Sequence, residues 1–335
     1  MLHRVHDVAL YIGVPSSLPD LSVAELRIVK AIGDAGSVTA AAAALGYSQP
    51  AVSQQIRRLE SRLGIPVVER VGRRMRLTEA GRILARHAAS ITTALGAVAG
   101  ELADLSGGRT GTVRLVGFPS ASPTVLPRLM RRLSETDPGV SLTYVEAEPP
   151  EAVAAVRADR ADIALTFSHP GDGTDAHGDS IRGLDARRIG EEDLLLILPE
   201  GHPRASDVIV DIETLAADDW IAGCPRCRSH LLDSCSRAGF TPRIRFETDN
   251  VAAVEQLVAQ RVGVATLPRL AVASFPLVEG ILTRPLASRD RRELHAVSAR
   301  GAARVPAVAT VLRHLADAVG DMAASGPEAP GAEVG

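Results

Sequence analysis

Apolar residues recur as Val52, Ile56, Leu59 and Leu63, the stripe of an amphipathic helix. Ser48 is placed to cap that helix through its hydroxyl, and Pro50 suits a first turn whose amides have no partner. The opposite face carries Gln49, Ser53, Gln54, Arg57 and Ser61, with no acid before Glu60. Such side chains hydrogen-bond base edges and phosphates. Upstream, Ser37 can cap a short Ala-rich helix ending at Leu45, and Gly46 supplies the left-handed residue that stops it. Two helices joined so tightly predict a helix-turn-helix. A further helix within Leu21–Gly36 turns Leu26, Val29 and Ile32 beneath it. After Leu63, Val67–Arg70 and Arg76–Thr78 flank Val71–Arg74 as a small basic hairpin, a wing.

From Thr78 the pattern changes. Leu84, Ala88, Ile91, Leu95, Val98, Leu102 and Leu105 recur at alternating spacings of four and three, a coiled-coil seam. So long a stripe calls for a partner, and a second copy of the chain is the expected one; a core helix within a monomer is the alternative. Beyond a hinge at Ser106–Gly111 the period alternates between strand and helix. Strands are expected at 112–117, 140–145 and 163–167, and helices at 122–136 and 150–158. Residues 169–182 read as a loop whose His169 and His177 could ligate a metal, with solvated histidines the favoured reading. A second lobe opens at Leu194–Leu198, with strands at 220–222, 244–247 and 263–267 and helices at 229–238 and 251–259. Residues 292–320 return to the first lobe and end in a helix over 305–319. Strands alternating with helices predict parallel sheets covered on both faces.

Charge changes what this architecture implies. The 335 residues, 46% hydrophobic and 23% charged, carry a net −3, but residues 1–90 hold 12 basic and 7 acidic side chains, leaving a net −8 for the rest. Residues 57–86 alone hold nine arginines against three acids, a phosphate footprint confined to the head. Lys30 is the single lysine, so the charge is almost all guanidinium. No apolar run reaches a membrane span, and Val8–Val14 is too short for a signal core, so a cytoplasmic protein without membrane contact is expected. No Gly-x-Ser-x-Gly, His-Glu-x-x-His or Gly-Lys-Ser/Thr motif occurs, which argues against an enzyme and implies no cofactor.

The head is similar to that of the LysR-type transcriptional regulators. The resemblance runs through Ser37-Val38-Thr39-Ala40-Ala41, Ser48-Gln49-Pro50-Ala51-Val52-Ser53, Leu59-Glu60-Ser61-Arg62-Leu63-Gly64, Val68-Glu69-Arg70 and Leu77-Thr78-Glu79-Ala80-Gly81. It continues in Asp162-Ile163-Ala164-Leu165 and Gly263-Val264-Ala265-Thr266-Leu267-Pro268. Val68 departs from the family's usual Phe, and Gln54 from its more frequent Arg. The resemblance implies an N-terminal all-α winged helix-turn-helix with a long linker helix, followed by a C-terminal α/β two-lobed effector domain like a periplasmic binding protein. The implied organisation is an extension over 1–20, the DNA-binding domain over 21–78, a dimerising helix over 79–106 and a hinge over 107–111. The effector domain follows over 112–320, lobe I at about 112–188 and 285–320 and lobe II at about 189–284, with a disordered tail over 321–335. Implied partners are a double-stranded operator, a small-molecule effector, a second copy in dimers or tetramers, and RNA polymerase. The DNA-reading set is Ser37, Thr39, Ser48, Gln49, Pro50, Ser53, Gln54, Arg57, Arg58, Arg70, Arg73 and Arg74.

Ligands of open α/β sheets collect at strand ends and helix N-termini. Three such places qualify: Ser120-Ala121-Ser122, Thr248-Asp249-Asn250 and Gly223–Arg228, with Phe167 and Thr266 at neighbouring strand ends. Arg226 and Arg228 suit a carboxylate, which favours an anionic effector. Cys224-x-x-Cys227, with His230 and Cys235 downstream, admits three readings: buried structural cysteines, a partial metal site, or a redox-sensing thiol pair raised in reactivity by flanking arginines.

Overall fold

The computed structural model describes residues 21–72, 74–105, 110–173 and 176–324; the expectations for 1–20, for most of the hinge and for 325–335 lie outside the described residues. The chain divides into two compact units between Thr92 and Thr93.

In the first unit, Ser22 and Glu25 close a reciprocal capping box on α1 (Val23–Ala35), and Gly36 ends it in the left-handed region. The Ser37 hydroxyl accepts from the Ala40 amide to cap α2 (Val38–Leu45). Ser48 does occupy the N-cap of α3 (Gln49–Leu63), but its side chain makes no capping bond. The expectation fails because Pro50 removes one of the two amides that such a cap can reach. Val52, Ile56 and Leu59 join Ile28, Val29 and Ile32 in one buried core. The wing is β1 (Val68–Val71) paired antiparallel with β2 (Arg74–Leu77).

Three motif residues hold this unit together. Glu60 Oε1 accepts from the amides of Val67 and Val68 at 2.8 and 3.2 Å, pinning the wing to the end of α3. At Gly81 a Cβ would lie 2.0 Å from the Val67 carbonyl oxygen, so only glycine lets the start of α4 (Glu79–Leu105) approach. Thr78 Oγ1 accepts from the Gly81 amide and donates to the Pro66 carbonyl.

The second unit has two lobes. Lobe I holds β3 (Gly111–Gly117), β4 (Val140–Glu146) and β5 (Ile163–Ser168), covered by α5 (Val125–Thr136), α6 (Pro149–Arg157) and α7 (Ala176–Ile181). The long strand β6 (Asp185–Pro199) then carries the chain into lobe II. There β7 (Asp219–Ala222), α8 (Pro225–Arg237), β8 (Arg243–Glu247), α9 (Val251–Ala259), β9 (Val264–Pro268), α10 (Arg269–Val272) and β10 (Ile281–Pro285) follow in order. β11 (Arg291–Ser298) brings the chain back to lobe I, and α11 (Pro306–Ala324) ends it. The strand order is β4-β3-β5-β11-β6-β9-β7-β8, with β10 on β6.

Several expectations are corrected here. The sheets are mixed, because β11 lies antiparallel to β5 and β6 while β9 and β10 lie antiparallel to β6. Residues 176–181 form α7 within the expected loop, and its His177 is buried with Nε2 2.9 Å from Thr166 Oγ1. The first helix of lobe I begins at Val125, after a 3-10 turn at Pro119–Ala121. The final helix runs on to Ala324, four residues into the expected tail, because Met322 still packs against the core of lobe I and Asp321 pairs with Arg132.

The Asp-x-Ala-Leu and Gly-Val-Ala segments now have physical reasons. Asp162 accepts from the Arg114 amide at 2.7 Å and from its guanidinium at 2.7 and 3.1 Å, locking β3 beside β5. A Cβ at Gly263 would sit 2.6 Å from the Asp219 carbonyl oxygen, where β9 begins to run beside β7.

Candidate functional site

On α3, Gln49, Pro50, Gln54, Arg57 and Arg58 are exposed and Ser53 is half-buried. Gln49 Nε2 donates to Ser53 Oγ at 3.0 Å, which holds the two polar side chains together on the outer face. Ser37 is occupied as a helix cap, while Thr39 is exposed beside it. In the wing, Arg70 is exposed and its Nε donates to the Gly72 carbonyl, and Arg74 opens β2. Arg73 lies outside the described residues. Because Glu60 is turned onto the Val67 and Val68 amides, and Glu25 onto Arg62 at 2.6 Å, neither carboxylate faces outward to repel a phosphate.

Of the expected dimer seam, Leu84 packs into the core of the head and Ala88 is buried. Ile91, Leu95, Val98 and Leu102 are 38, 49, 53 and 59% exposed. The surface stripe therefore starts about two turns later than the sequence pattern implies. The side chain of Leu105 lies outside the described residues.

The cleft between the lobes of the second unit is lined by Ser120, Phe167, Cys224, Asp249 and Thr266 of the expected set. Ala121 and Ser122 do not line it: Ala121 packs in the lobe I core, and Ser122 Oγ binds Tyr144 and Glu146. Neither expected arginine faces it. Arg226 donates to the Phe167 carbonyl and to Ser180 Oγ, and Arg228 pairs with Glu247 at 2.8 Å.

The cleft's arginine is instead Arg292, on β11. It is 2% exposed, packs over the edge-to-face pair of Phe118 and Phe167 at 4.7 and 4.5 Å from their ring centres, and donates to Glu192 and Ser120 Oγ, each at 2.7 Å. Glu192 also accepts from the Leu270 amide at 2.6 Å. A buried cation so enclosed is matched in charge and packed against two aromatic rings. The run Asp290-Arg291-Arg292-Glu293 hid it, because four charged residues in a row do not read as a strand. Glu148 was missed as well; it precedes Pro149-Pro150 and reads only as a helix start.

Cys224 and Cys227 sit on the lobe II side of the same cavity. Cys224 is the N-cap of α8 and Cys227 lies one turn in, so the two sulfurs come within 3.2 Å, with Cys224 donating its S–H. That bond comes first, and with the Arg292 charge it outweighs burial, so Cys227 is held below the ordinary thiol range. Cys224 is pushed well up, first by the same bond and then by burial, and stays protonated. Burial first, then the Cys224 sulfur, raise Glu148 to about 8. The cavity is small, about 60 Å³, room for a few waters or one small molecule of similar size.

Cys235 and His230 do not join the pair. Cys235 is fully buried beside Trp220 in the lobe II core, where burial raises it to about 12. His230 Nδ1 lies 2.6 Å from Asp172, its Nε2 lies 3.5 Å from Asp290, and its ring stacks on His169 at 4.1 Å. Burial works against the charge, but the two carboxylates win and hold His230 at about 9. The four side chains weighed as metal ligands are thus split among three environments. Among the described residues no group of three or more ligating side chains converges, and no helix is long and apolar enough to cross a membrane.

Two family models match the chain: a bacterial regulatory helix-turn-helix protein of the lysR family over residues 23–82, and the LysR substrate binding domain over residues 106–320. A probable hydrogen peroxide-inducible genes activator from Mycobacterium avium is 30% identical over 267 residues, 77% of this chain and 81% of that protein. Its counterpart from Mycobacterium xenopi is 36% identical over 182 residues, 54% of this chain and 92% of that one. Among solved structures, a cysteine-to-aspartate variant of full-length OxyR from Pseudomonas aeruginosa shares the fold with a TM-score of 0.66 at 20% identity, covering 89% of this chain and 94% of that chain.

Proposed function

Because this chain belongs to the LysR family of DNA-binding transcription regulators and is not an enzyme, we propose that its effector cleft senses a small oxidant of the peroxide class. The observation that carries this reading is the 3.2 Å separation of Cys224 and Cys227 at the wall of the small cavity. The relatives named as peroxide-inducible activators support it. An anionic metabolite is the weaker reading, since Arg226 and Arg228 are engaged elsewhere and Arg292 is already matched by Glu192.

The Cys227 thiolate attacks one peroxide oxygen; an S–O bond forms, the O–O bond breaks, and the leaving hydroxide takes a proton to become water. The Cys224 thiol then attacks the sulfenic sulfur, an S–S bond forms, and a second water departs with the Cys224 proton. The two sulfurs lose two electrons and the peroxide gains them. Cys235 takes no part: eight residues along α8 from Cys227 places it about 12 Å up the axis, outside disulfide reach while the helix persists.

In the same reading the head binds its operator in the cytoplasm through Gln49, Pro50, Ser53, Gln54 and Arg57, with Ser37, Thr39, Ser48, Arg58, Arg70, Arg73 and Arg74 on phosphates. Pairing through the exposed part of α4 presents two heads to half-sites about one helical turn apart, roughly 34–36 Å. Disulfide formation shifts the balance between two quaternary arrangements only to the extent that the bond is easier to form in one of them.

The test is direct. The purified, reduced chain treated with stoichiometric hydrogen peroxide should lose two thiols, yield a Cys224–Cys227 disulfide in peptide mass spectra, and change its gel shift on its own upstream DNA. Three unresponsive thiols would end the redox reading and leave the DNA-binding assignment standing.

A further inference from the structure

The redox scheme leaves one proton without an owner. The hydroxide expelled from the peroxide must be protonated as it leaves, yet the attacking sulfur has already given up its proton and the Cys224 proton is needed in the next step. Leaving-group protonation by a positioned acid is worth several orders of magnitude in rate. The acid must line the cavity, carry a proton at neutral pH, and stand apart from the nucleophile.

Glu148 meets these conditions. It stands immediately before α6, on lobe I, and lines the same cavity as both sulfurs on lobe II. Its side chain lies against Cys224, and its Oε2 is buried with no partner among the described residues. A buried carboxyl oxygen left unmatched is costly unless the group is neutral or a ligand fills the gap. The groups that face it are the neutral Cys224 thiol and, beside it, Cys227 from α8, Arg292 from β11 and Asp249 from the loop before α9. Burial, contact with the Cys224 sulfur and the Asp249 charge favour the protonated form at neutral pH, and Arg292 opposes it.

We propose that Glu148 is the general acid of the sensor, delivering its proton across the cleft to the hydroxide that leaves when Cys227 attacks the peroxide. This rests on the redox reading above. The step balances: thiolate, carboxylic acid and hydrogen peroxide become sulfenic acid, carboxylate and water. The Cys224 thiol then closes the disulfide and supplies the proton for the second water. Oxidation therefore carries the site's negative charge from Cys227 on lobe II to Glu148 on lobe I. Because acid and nucleophile stand on different lobes, the fast reaction requires the arrangement of lobes seen here.

The experiment uses the full-length reduced protein and its E148Q variant, followed with hydrogen peroxide by stopped-flow fluorescence of Trp220, the single tryptophan, and by quenched thiol counting. The wild-type rate should fall as pH rises through about 8, where Glu148 loses its proton. E148Q should react about 10²-fold more slowly and lack that fall, and E148D should recover part of the rate. Alkylation by iodoacetamide, whose iodide leaves without a proton, should proceed equally in wild type and E148Q. Equal peroxide rates in the two proteins would overturn the proposal, as would an equal slowing of alkylation in E148Q, which would mean the glutamate only shapes the thiolate. A wild-type chain that keeps its thiols in peroxide would remove the redox reading itself, and the role of Glu148 with it.

Discussion

Arg292 Nε lies 2.7 Å from Glu192 Oε1, with both side chains almost wholly enclosed, at 3% and 6% exposure. The pair sits where lobe I and lobe II share β6 and β11, and the Arg292 charge helps hold the Cys227 thiol below its ordinary range. Arg292→Met would leave Glu192 buried without its counter-charge, and removing one partner of such a pair costs about 3–5 kcal/mol. Thermal unfolding of R292M should show that loss, and the double variant R292M/E192Q should regain part of it. The R292M thiol should also titrate higher than in wild type, read from the pH dependence of iodoacetamide alkylation.

The His230 cluster predicts how stability varies with pH. Unfolded, the imidazole has a pKa of about 6.5; folded, it is raised to about 9. The stabilisation is therefore full below about pH 6.5 and is lost as pH rises through about 9, amounting to on the order of 3 kcal/mol. His169 runs the other way: burial and then the His230 charge lower it to about 2, so its contribution is full above about pH 6.5 and is lost as pH falls towards 2. Denaturant midpoints should peak near neutrality, and His230→Gln should flatten the alkaline side. An unchanged alkaline slope in H230Q would remove this account.

Arg57 is exposed on the outer face of α3. Arg57→Ala should weaken operator binding and reduce the slope of log affinity against log salt by about one. Gln49→Ala should instead relax preference at one base position by about 1–3 kcal/mol, measured by competition between operator variants. Unchanged specificity in Q49A would mean the reading face lies elsewhere.

Leu95 and Val98 are half-exposed apolar side chains on the long helix. If that stripe pairs two copies, Leu95→Arg should convert the protein to monomers by light scattering and weaken operator binding together. Leu84→Arg should instead damage the head itself, since that residue packs in its core.

Cys235 lies in the lobe II core with Trp220 and Leu231. Cys235→Ala should leave peroxide-driven disulfide formation intact, while Cys227→Ser should abolish it. Loss of the response in C235A would reassign the resolving thiol.

The head was legible from sequence because its signals are local. A cap at Ser37, a left-handed Gly46 and an apolar stripe through Val52, Ile56 and Leu59 each act within one or two turns, and an excess of arginine needs no fold to be counted. The same holds for the β–α alternation of the two lobes, and for Cys224 and Cys227, whose spacing alone brings them onto one turn. What the chain order could not reveal was set by contacts between residues far apart. Arg292 meets Ser120 across 172 positions, Leu84 is drawn into the head's core, and Glu148 meets Cys224 across the cleft. Arg226 and Arg228 looked like ligand-binding cations until Phe167, Ser180 and Glu247 claimed them. Burial and charge pairing depend on neighbours in space, so most helices and strands follow from the order of residues, while the chemistry of the cleft waits for the lobes to close around it.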